Sequence, residues 1–136
     1  MSLPQVVLDT DMLSALMRKN PKVMAQARAY LTEHAQFTIS IITRYEVLRG
    51  LKAKQATRQV VGFEAFCVRN KILTITDEVI VQAAEIYADL YRHGALIGDA
   101  DILIAATAMA NGLGVATNNE GHFRRIAGLH VENWQK

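Results

Sequence analysis

Three acidic side chains stand where short apolar runs give way to helical segments. Asp9 directly follows Val6-Val7-Leu8, Glu46 lies in the segment that follows Ser40, and Asp101 opens an otherwise apolar helical run. Carboxylate oxygens converging without His or Cys are typical of Mg²⁺ or Mn²⁺ sites rather than of zinc sites. Such a cluster raises the pKa of its own members unless a cation neutralises them. The pattern predicts a divalent cation that activates water for in-line phosphoryl displacement.

Each acid also has a structural interpretation. Asp9 could cap a helix beginning near Asp11, and capping alone explains Asp11. Asp99 could be the N-cap of its helix, whereas Asp101 sits in the first turn of a helix whose later residues look buried, and capping explains it less well. Glu46 lies beside the apolar stripe of its helix, where an isolated Glu is often solvated. The occurrence of these acids together on separate segments favours a functional interpretation.

A fourth polar segment, Thr117-Asn118-Asn119-Glu120, follows another strand-like run. Asn and Thr are ordinary residues of strand-to-helix turns. They are also neutral oxygen ligands and hydrogen-bond donors that could orient a metal-bound water. Asn119 is therefore a candidate site residue together with Asp9, Glu46 and Asp101.

Short β-type runs alternate with longer helical segments along the whole chain. The predicted strands are Val6–Leu8, Phe37–Ser40, Ile72–Ile75, Leu113–Thr117 and Leu129–Val131. The predicted helices cover Pro21–His34, Ile41–Lys54, Gln55–Arg69, Thr76–Arg92 and Asp99–Asn111, with capping residues such as Asn20 and Ser40 before them. Apolar strands separated by helices predict an α/β fold, a three-layer α/β/α domain with a central, mainly parallel sheet.

This architecture predicts where chemistry would occur. Ligands of open parallel sheets bind beyond the carboxyl ends of the strands, near the point where strand order reverses. Asp9 follows a predicted strand, Asp101 opens a predicted helix, and Glu46 lies on the helix that follows the second predicted strand. They are therefore expected to meet at one edge of the sheet.

Composition sets broader limits. The 136 residues fit a single domain, residues 1–136, and 51% of them are hydrophobic, which is ordinary for a globular protein. The net charge of +2 is compatible with a polyanionic partner without requiring one. Cys67 is the one cysteine, which suits a reducing compartment. With no membrane span and no signal peptide in the pattern, we expect a cytoplasmic protein.

The chain resembles PIN-domain proteins and, within them, the VapC-type toxins of toxin–antitoxin modules. Four stretches carry the resemblance: Val7–Ser14; Ser40–Gly50, which contains Arg44-Tyr45-Glu46; Ile97–Ala108, which contains Asp101-Ile102-Leu103; and Thr117–Trp134, which contains His122-Phe123-Arg124-Arg125. The resemblance implies a Mg²⁺- or Mn²⁺-dependent endoribonuclease inhibited by an antitoxin. It matches Asp9, Glu46 and Asp101 to the core acids and Asp99 to an accessory acid. The family's fourth acid falls at Asn119, which leaves open whether Glu120 substitutes for it.

RNA binding is expected from basic residues near these acids, since phosphate contacts dominate affinity. The candidates are Arg44, Arg49, Arg124 and Arg125. The resemblance implies a homodimer and a cognate antitoxin, and the segment Gln55–Arg69, with Val60, Val61, Phe63 and Phe66, offers apolar surface for either. Trp134 is expected to anchor the C-terminal segment rather than to stack on a base.

Two other functions remain open from the residues. Asp9-Thr10-Asp11 after an apolar strand resembles the nucleophile motif of haloacid-dehalogenase phosphatases, in which Asp9 would form an aspartyl-phosphate. That interpretation gives Glu46 no role. Asn119 in place of an acid also leaves room for a non-catalytic RNA-binding adaptor with a degenerate site.

Overall fold

The computed structural model describes residues 2–136. Strands and helices alternate through this range. The strands are β1 Val6–Leu8, β2 Thr38–Ser40, β3 Lys71–Leu73, β4 Gly114–Ala116 and β5 Val131–Glu132. The helices are α1 Thr10–Met17, α2 Pro21–His34, α3 Ile41–Ala53, α4 Thr57–Arg69, α5 Asp77–Arg92, α6 Asp99–Ala110 and α7 Glu120–Phe123.

All strand pairs are parallel. β1 pairs with β4, with Val7 opposite Val115, β4 pairs with β5, and β2 pairs with β3. Hydrogen bonds join β1, β4 and β5 in one group and β2 and β3 in another, and β1 packs beside β2, so the strands follow the spatial order β3-β2-β1-β4-β5. The chain runs outward from β1 to β3 and then returns to add β4 and β5 on the other side. Strand order therefore reverses between β1 and β4, which is where ligands bind in such sheets.

The sheet separates two hydrophobic cores. Val6 and Leu8 belong to the core under α1, α2, α3 and α4, whereas Val7 belongs to the core under α5 and α6. Successive side chains of a strand point to opposite faces, so this split shows helices covering both sides of β1. Complete burial of one such aliphatic side chain contributes roughly 1.5–3 kcal/mol. The expected three-layer α/β/α architecture is confirmed.

Local capping explains where the helices begin and end. Asn20 accepts hydrogen bonds from the backbone N–H groups of Lys22 and Val23 at the start of α2, and Ser40 accepts one from Thr43 at the start of α3. Gly94, with a φ of 62°, follows α5 in the left-handed conformation that glycine adopts without strain. These caps fix how each helix leaves the sheet.

Several predicted boundaries shift. Helix α4 begins at Thr57 rather than Gln55, because Gln55 has a φ of 56° that breaks the helical path. Strand β5 covers Val131–Glu132 instead of Leu129–Val131, since Gly128 still turns the chain with a φ of 80°. Helix α1 begins at Thr10, earlier than expected, with Asp9 as its N-cap.

Two aromatic predictions have different outcomes. Trp134 is 3% exposed and packs against Tyr30 and Phe37, so it anchors the C-terminal segment as expected. Phe63 is 1% exposed within the core, so it offers little of the partner surface expected of it. Val61 on the same helix is exposed. Among residues 2–136 the structure contains no helix long and apolar enough to cross a membrane.

Candidate active site

Asp9 lies at the carboxyl end of β1, in the crevice between β1 and β4. Its Oδ1 accepts a hydrogen bond of 2.8 Å from the backbone N–H of Thr10, and its Oδ2 accepts one of 2.7 Å from the Thr117 hydroxyl. Thr117 directly follows β4, so the second bond crosses the point where strand order reverses. Asp9 is 5% exposed. It therefore caps α1 with one oxygen and holds the other at the crevice.

Asp11 does not cap a helix, contrary to the expectation from sequence. Its carboxylate accepts hydrogen bonds from the backbone N–H of Asn118, at 3.2 Å to Oδ2, and from the Thr117 hydroxyl, at 3.4 Å to Oδ1. The reason is that the helix begins one residue earlier and Asp9 takes the capping position. Asp11 instead ties the loop after β4 to the first turn of α1.

The acids of the crevice act on one another electrostatically. Burial, together with the neighbouring charges of Asp11 and Asp101, raises the pKa of Asp9 from 3.8 to about 7, although its two hydrogen-bond donors act in the opposite direction. Burial and nearby negative charges both disfavour the ionised form of a carboxylate, and a nearby positive charge would favour it. Asp9, Asp11 and Asp101 thus form an acidic crevice that a cation would stabilise.

Glu46 is positioned by a set of hydroxyl groups. The Thr10 hydroxyl donates to Glu46 Oε1 at 2.6 Å and lies 3.1 Å from the Thr43 hydroxyl. Thr10 opens α1, next to Asp9, so this bond links the helix that carries Glu46 to the acidic crevice. Sequence reasoning did not select Thr10 as a site residue. Its position next to Asp9 was the available signal.

Asn119 and Asp101 meet at a residue that sequence reasoning also missed, His122. The His122 Nδ1 lies 2.9 Å from Asp101 Oδ2 and 2.8 Å from Asn119 Nδ2. Asn119 immediately precedes α7 and His122 lies three residues later, a spacing that places side chains on one helical face. This spacing could have identified His122.

Two of the predicted acids lie apart from these contacts. Glu120 accepts hydrogen bonds from Arg124, Asn133 and Lys136, which hold its pKa down at about 2. Its carboxylate is thus already satisfied by cations. Asp99 is the exposed first residue of α6, two residues before Asp101, and residues at that spacing do not share a helical face. Gly98, not Asp99, occupies the N-cap position.

The four candidate arginines differ in their contacts. Arg49 Nη2 lies 3.7 Å from Glu46 Oε2, and its side chain is 59% exposed. Arg44 makes a bidentate ion pair with Glu64 on α4, which raises the pKa of the guanidinium. Arg124 pairs with Glu120, and Arg125 donates to the carbonyl groups of Ala95 and Leu96. Arg49 is the candidate in contact with a core acid.

The donor chemistry of the crevice fits a hard divalent cation. Asp9 and Asp101 supply carboxylate oxygens, and burial together with the nearby acids raises the pKa of Asp9, so a bound cation would stabilise its charged form. Within residues 2–136, no three His, Cys, Asp or Glu side chains are close enough to enclose a metal ion. Mg²⁺ keeps several waters and is usually held by one or two protein carboxylates. Two acids flanking an open crevice fit that requirement.

A groove of about 860 Å³ leads away from this site between α1, α2, α3 and α4. Thr10 and Glu46 line one part of it, so the groove is continuous with the site. Its apolar lining includes Leu16, Phe37, Val47, Leu51, Phe63 and Phe66. Its exposed basic residues are Arg18, Lys19, Arg28, Lys54 and Arg69.

Comparison with known proteins agrees with the fold. The PIN-domain family model matches residues 6–129. The tRNA(fMet)-specific endonuclease VapC of Salmonella typhimurium is 30% identical over 94% of this chain and 96% of its own.

Solved structures give the same result. The crystal structure of VapBC2 from Rickettsia felis, bound to a promoter DNA fragment, contains a chain with a TM-score of 0.84 at 27% identity, covering 95% of this chain and 98% of that one. DNA-bound VapBC from Salmonella typhimurium gives 0.84 at 28% identity, covering 97% and 99%. The chain therefore belongs to the PIN-domain family, as a homologue of the VapC ribonucleases.

Proposed function

We propose that this protein is a divalent-metal-dependent endoribonuclease and the toxin of a toxin–antitoxin pair, with residues 1–136 forming one nuclease domain that acts in the cytoplasm. The observation that carries the proposal is the acidic crevice at the β1/β4 switch point, where burial and neighbouring acids raise the pKa of Asp9 to about 7. The homologous VapC proteins are named as ribonucleases, which supports RNA as the substrate.

Asp9 and Asp101 would hold Mg²⁺ or Mn²⁺, with Glu46 beside them and Asp99 as an accessory acid at most. A cation bound there would lower the pKa of a water molecule and neutralise the charge that develops on the phosphodiester oxygens. Thr117 and Thr10 fix the Asp9 carboxylate through the bonds described above. Thr10 also orients Glu46, which can accept a proton from an attacking water.

Basic side chains at the crevice would hold the RNA backbone. Arg49 is the main candidate because its exposed guanidinium lies beside Glu46. Arg44, Arg124 and Arg125 are occupied by protein acceptors in this structure, so we expect them to contribute less.

An antitoxin segment would occupy the groove between α1 and α4. The groove combines an apolar floor with a basic rim, which suits an amphipathic segment carrying acidic residues. Because Glu46 and Thr10 line both groove and site, a bound segment would also block the approach of RNA. The solved neighbours are two-component VapBC complexes, in agreement with such a partner.

A homodimer is the other expected assembly. Helix α5 exposes Ile80, Tyr87 and Tyr91 along one side, and the two tyrosine rings stack with centroids 6.1 Å apart. An exposed apolar stripe of this kind is typical of a protein interface. Light scattering of the wild type and of Tyr87→Glu tests it: we expect a dimer that the charge converts to a monomer, and a monomeric wild type would contradict the proposal.

Expression in bacteria tests the function. The wild type and Asp9→Asn are placed under a tightly regulated promoter, and growth and total RNA are followed after induction. We expect the wild type to stop growth and produce discrete RNA fragments, and Asp9→Asn to do neither. A harmless wild type that also leaves RNA intact with Mg²⁺ or Mn²⁺ in vitro would support the adaptor interpretation instead. Membership of the PIN-domain family leaves no support for a phosphatase using Asp9 as nucleophile.

A further inference from the structure

His122 is the side chain through which α7 reaches the acidic crevice. Its Nδ1 lies 2.9 Å from Asp101 Oδ2 and 2.8 Å from the amide nitrogen of Asn119. The imidazole is not core filling, because 41% of its side chain is exposed while the adjacent Phe123 is fully buried. Phe123 therefore anchors the helix, and His122 is free to serve another role.

The other acids of the site each have a hydrogen-bond donor of their own. Asp9 is held by Thr117 and by the Thr10 backbone, and Glu46 is held by the Thr10 hydroxyl. For Asp101, among the residues that the structure describes, the corresponding contact comes from His122. His122 thus occupies for Asp101 the place that Thr117 occupies for Asp9.

The chemistry of one ring nitrogen settles the direction of this contact. Nδ1 carries at most one proton, so it either donates to Asp101 or accepts from the Asn119 amide. A carboxylate that binds a cation accepts hydrogen bonds and has none to donate, which favours the imidazole tautomer with its proton on Nδ1. The Asn119 amide can rotate to present its oxygen to the same N–H. One protonated imidazole nitrogen would then hold both Asp101 and Asn119.

We infer that His122 is a positioning residue: its Nδ1–H orients the Asp101 carboxylate toward the divalent cation, and the imidazole is not itself a metal ligand. This inference rests on the proposed metal-dependent nuclease. It adds a nitrogen-bearing residue to a site whose metal ligands remain oxygen atoms. Groups that orient metal ligands in this way typically change metal affinity or activity by about 10- to 100-fold when they are removed.

The role of the Nδ1 donor is tested by substitutions of His122 that place an N–H donor at different positions. The amide nitrogen of His122→Asn falls near the position of Nδ1, that of His122→Gln falls near Nε2, and His122→Ala offers no donor. Mn²⁺ affinity is measured by calorimetry on the full-length protein, and kcat and KM for RNA cleavage are measured separately. We expect His122→Ala and His122→Gln to bind Mn²⁺ about 10- to 100-fold more weakly than the wild type. Their kcat should fall while their KM stays nearly unchanged. His122→Asn should retain most of the wild-type Mn²⁺ affinity and most of the wild-type kcat.

A matched control comes from His93, whose Nδ1 lies 3.4 Å from Asp89 Oδ1 at the exposed end of α5. His93→Ala should leave Mn²⁺ affinity unchanged. Equal Mn²⁺ affinity of wild type and His122→Gln would overturn the inference. If His122→Ala does not fold, as judged by circular dichroism, the comparison of the Asn and Gln variants still decides.

Electron spin echo measurements on Mn²⁺-loaded protein distinguish positioning from ligation. With histidine selectively labelled with ¹⁵N, a metal-bound imidazole would produce a strong ¹⁵N coupling to Mn²⁺, which would overturn the inference. We expect no such directly bonded coupling. If the wild type and Asp9→Asn bind Mn²⁺ equally poorly, the proposed function fails and the role of His122 fails with it. If Asp9→Asn weakens binding and the His122 variants do not, only the role of His122 fails.

Discussion

Two carboxylates near the carboxyl end of the sheet differ strongly in their surroundings. Asp9 is buried, faces the charges of Asp11 and Asp101, and has its pKa raised to about 7. Glu120 is surrounded by Lys136, Asn133 and Arg124, and has its pKa lowered to about 2. Asp9 thus has negatively charged neighbours, whereas Glu120 is already paired with positively charged side chains.

We propose that this contrast separates a metal-binding acid, Asp9, from a structural one, Glu120. Glu120 binds the C-terminal residues Asn133 and Lys136 and so holds them against α7. Its negative charge is therefore neutralised by groups of the same chain. Among residues 2–136, the side chains that act on Asp9 are the acids Asp11 and Asp101 and the hydroxyl of Thr117, so its charge has no cationic neighbour there. A positive group from outside the chain would stabilise the charged form of this carboxylate, and a divalent cation is the group that the proposed nuclease requires.

The largest expected effect is on catalysis. Asp9→Asn and Asp101→Asn should each lower ribonuclease activity by about 10³-fold or more, because a metal supplies several kcal/mol of transition-state stabilisation. Glu120→Gln should change activity only a few-fold. Initial rates on a defined RNA at saturating Mn²⁺ provide the measurement. Comparable losses for Glu120→Gln and Asp9→Asn would erase the distinction between the two acids.

The next effect concerns stability without metal. The folded protein keeps a proton on Asp9 up to about pH 7, whereas the unfolded chain releases it near 3.8. The unfolded state therefore binds fewer protons between these values, and the free energy of unfolding should fall as pH rises through this window, by up to about 4 kcal/mol.

Asp9→Asn removes this pH-dependent loss while keeping a side chain that caps α1 well. Urea unfolding with a chelator present, at several pH values, compares the two proteins. The wild type should lose more stability than Asp9→Asn as pH rises, and added Mn²⁺ should restore stability to the wild type alone. Parallel pH profiles for the two proteins would show that Asp9 is not the group responsible.

A smaller effect is expected from the basic residues. Arg49→Gln should weaken RNA binding several-fold and reduce the salt dependence of binding by about one phosphate contact. Arg124→Gln should do less, because Arg124 is paired with Glu120. Binding of a non-cleaved RNA to the Asp9→Asn background, measured over a range of salt concentrations, separates the two. An equal salt dependence for both variants would rule out a special role for Arg49.

The smallest effect is the stabilisation that Glu120 provides. Its lowered pKa means that its contribution is fully present above 4.5 and is lost as pH falls through about 2. Glu120→Gln should therefore lower the thermal midpoint slightly at neutral pH, since exposed ion pairs contribute little. Below this window the two proteins should unfold alike. A large difference that persists in strong acid would point to a packing role for Glu120 instead.

The sequence by itself determined the fold class and most of the elements. Apolar runs alternating with capped helices predicted a parallel sheet with helices on both faces, because such strands must be buried on both sides. The same pattern predicted Asp9 and Asp101 at one edge of the sheet, and in the structure the charge of Asp101 acts on Asp9. The caps at Asn20 and Ser40 were predicted because they depend on neighbouring residues alone.

Tertiary structure decided which residues share the site. Thr117 meets Asp9 across 108 positions of sequence, and His122 meets Asp101 across 21, so no local pattern could reveal either contact. Asp11 and Glu120 carry the same charge as Asp9, yet one secures a loop and the other binds cations of the C-terminal segment. The type of a side chain is local information. Its pKa and its partners depend on the groups that the fold brings within a few ångströms. The sequence therefore shows where the acids occur but not how their surroundings differ.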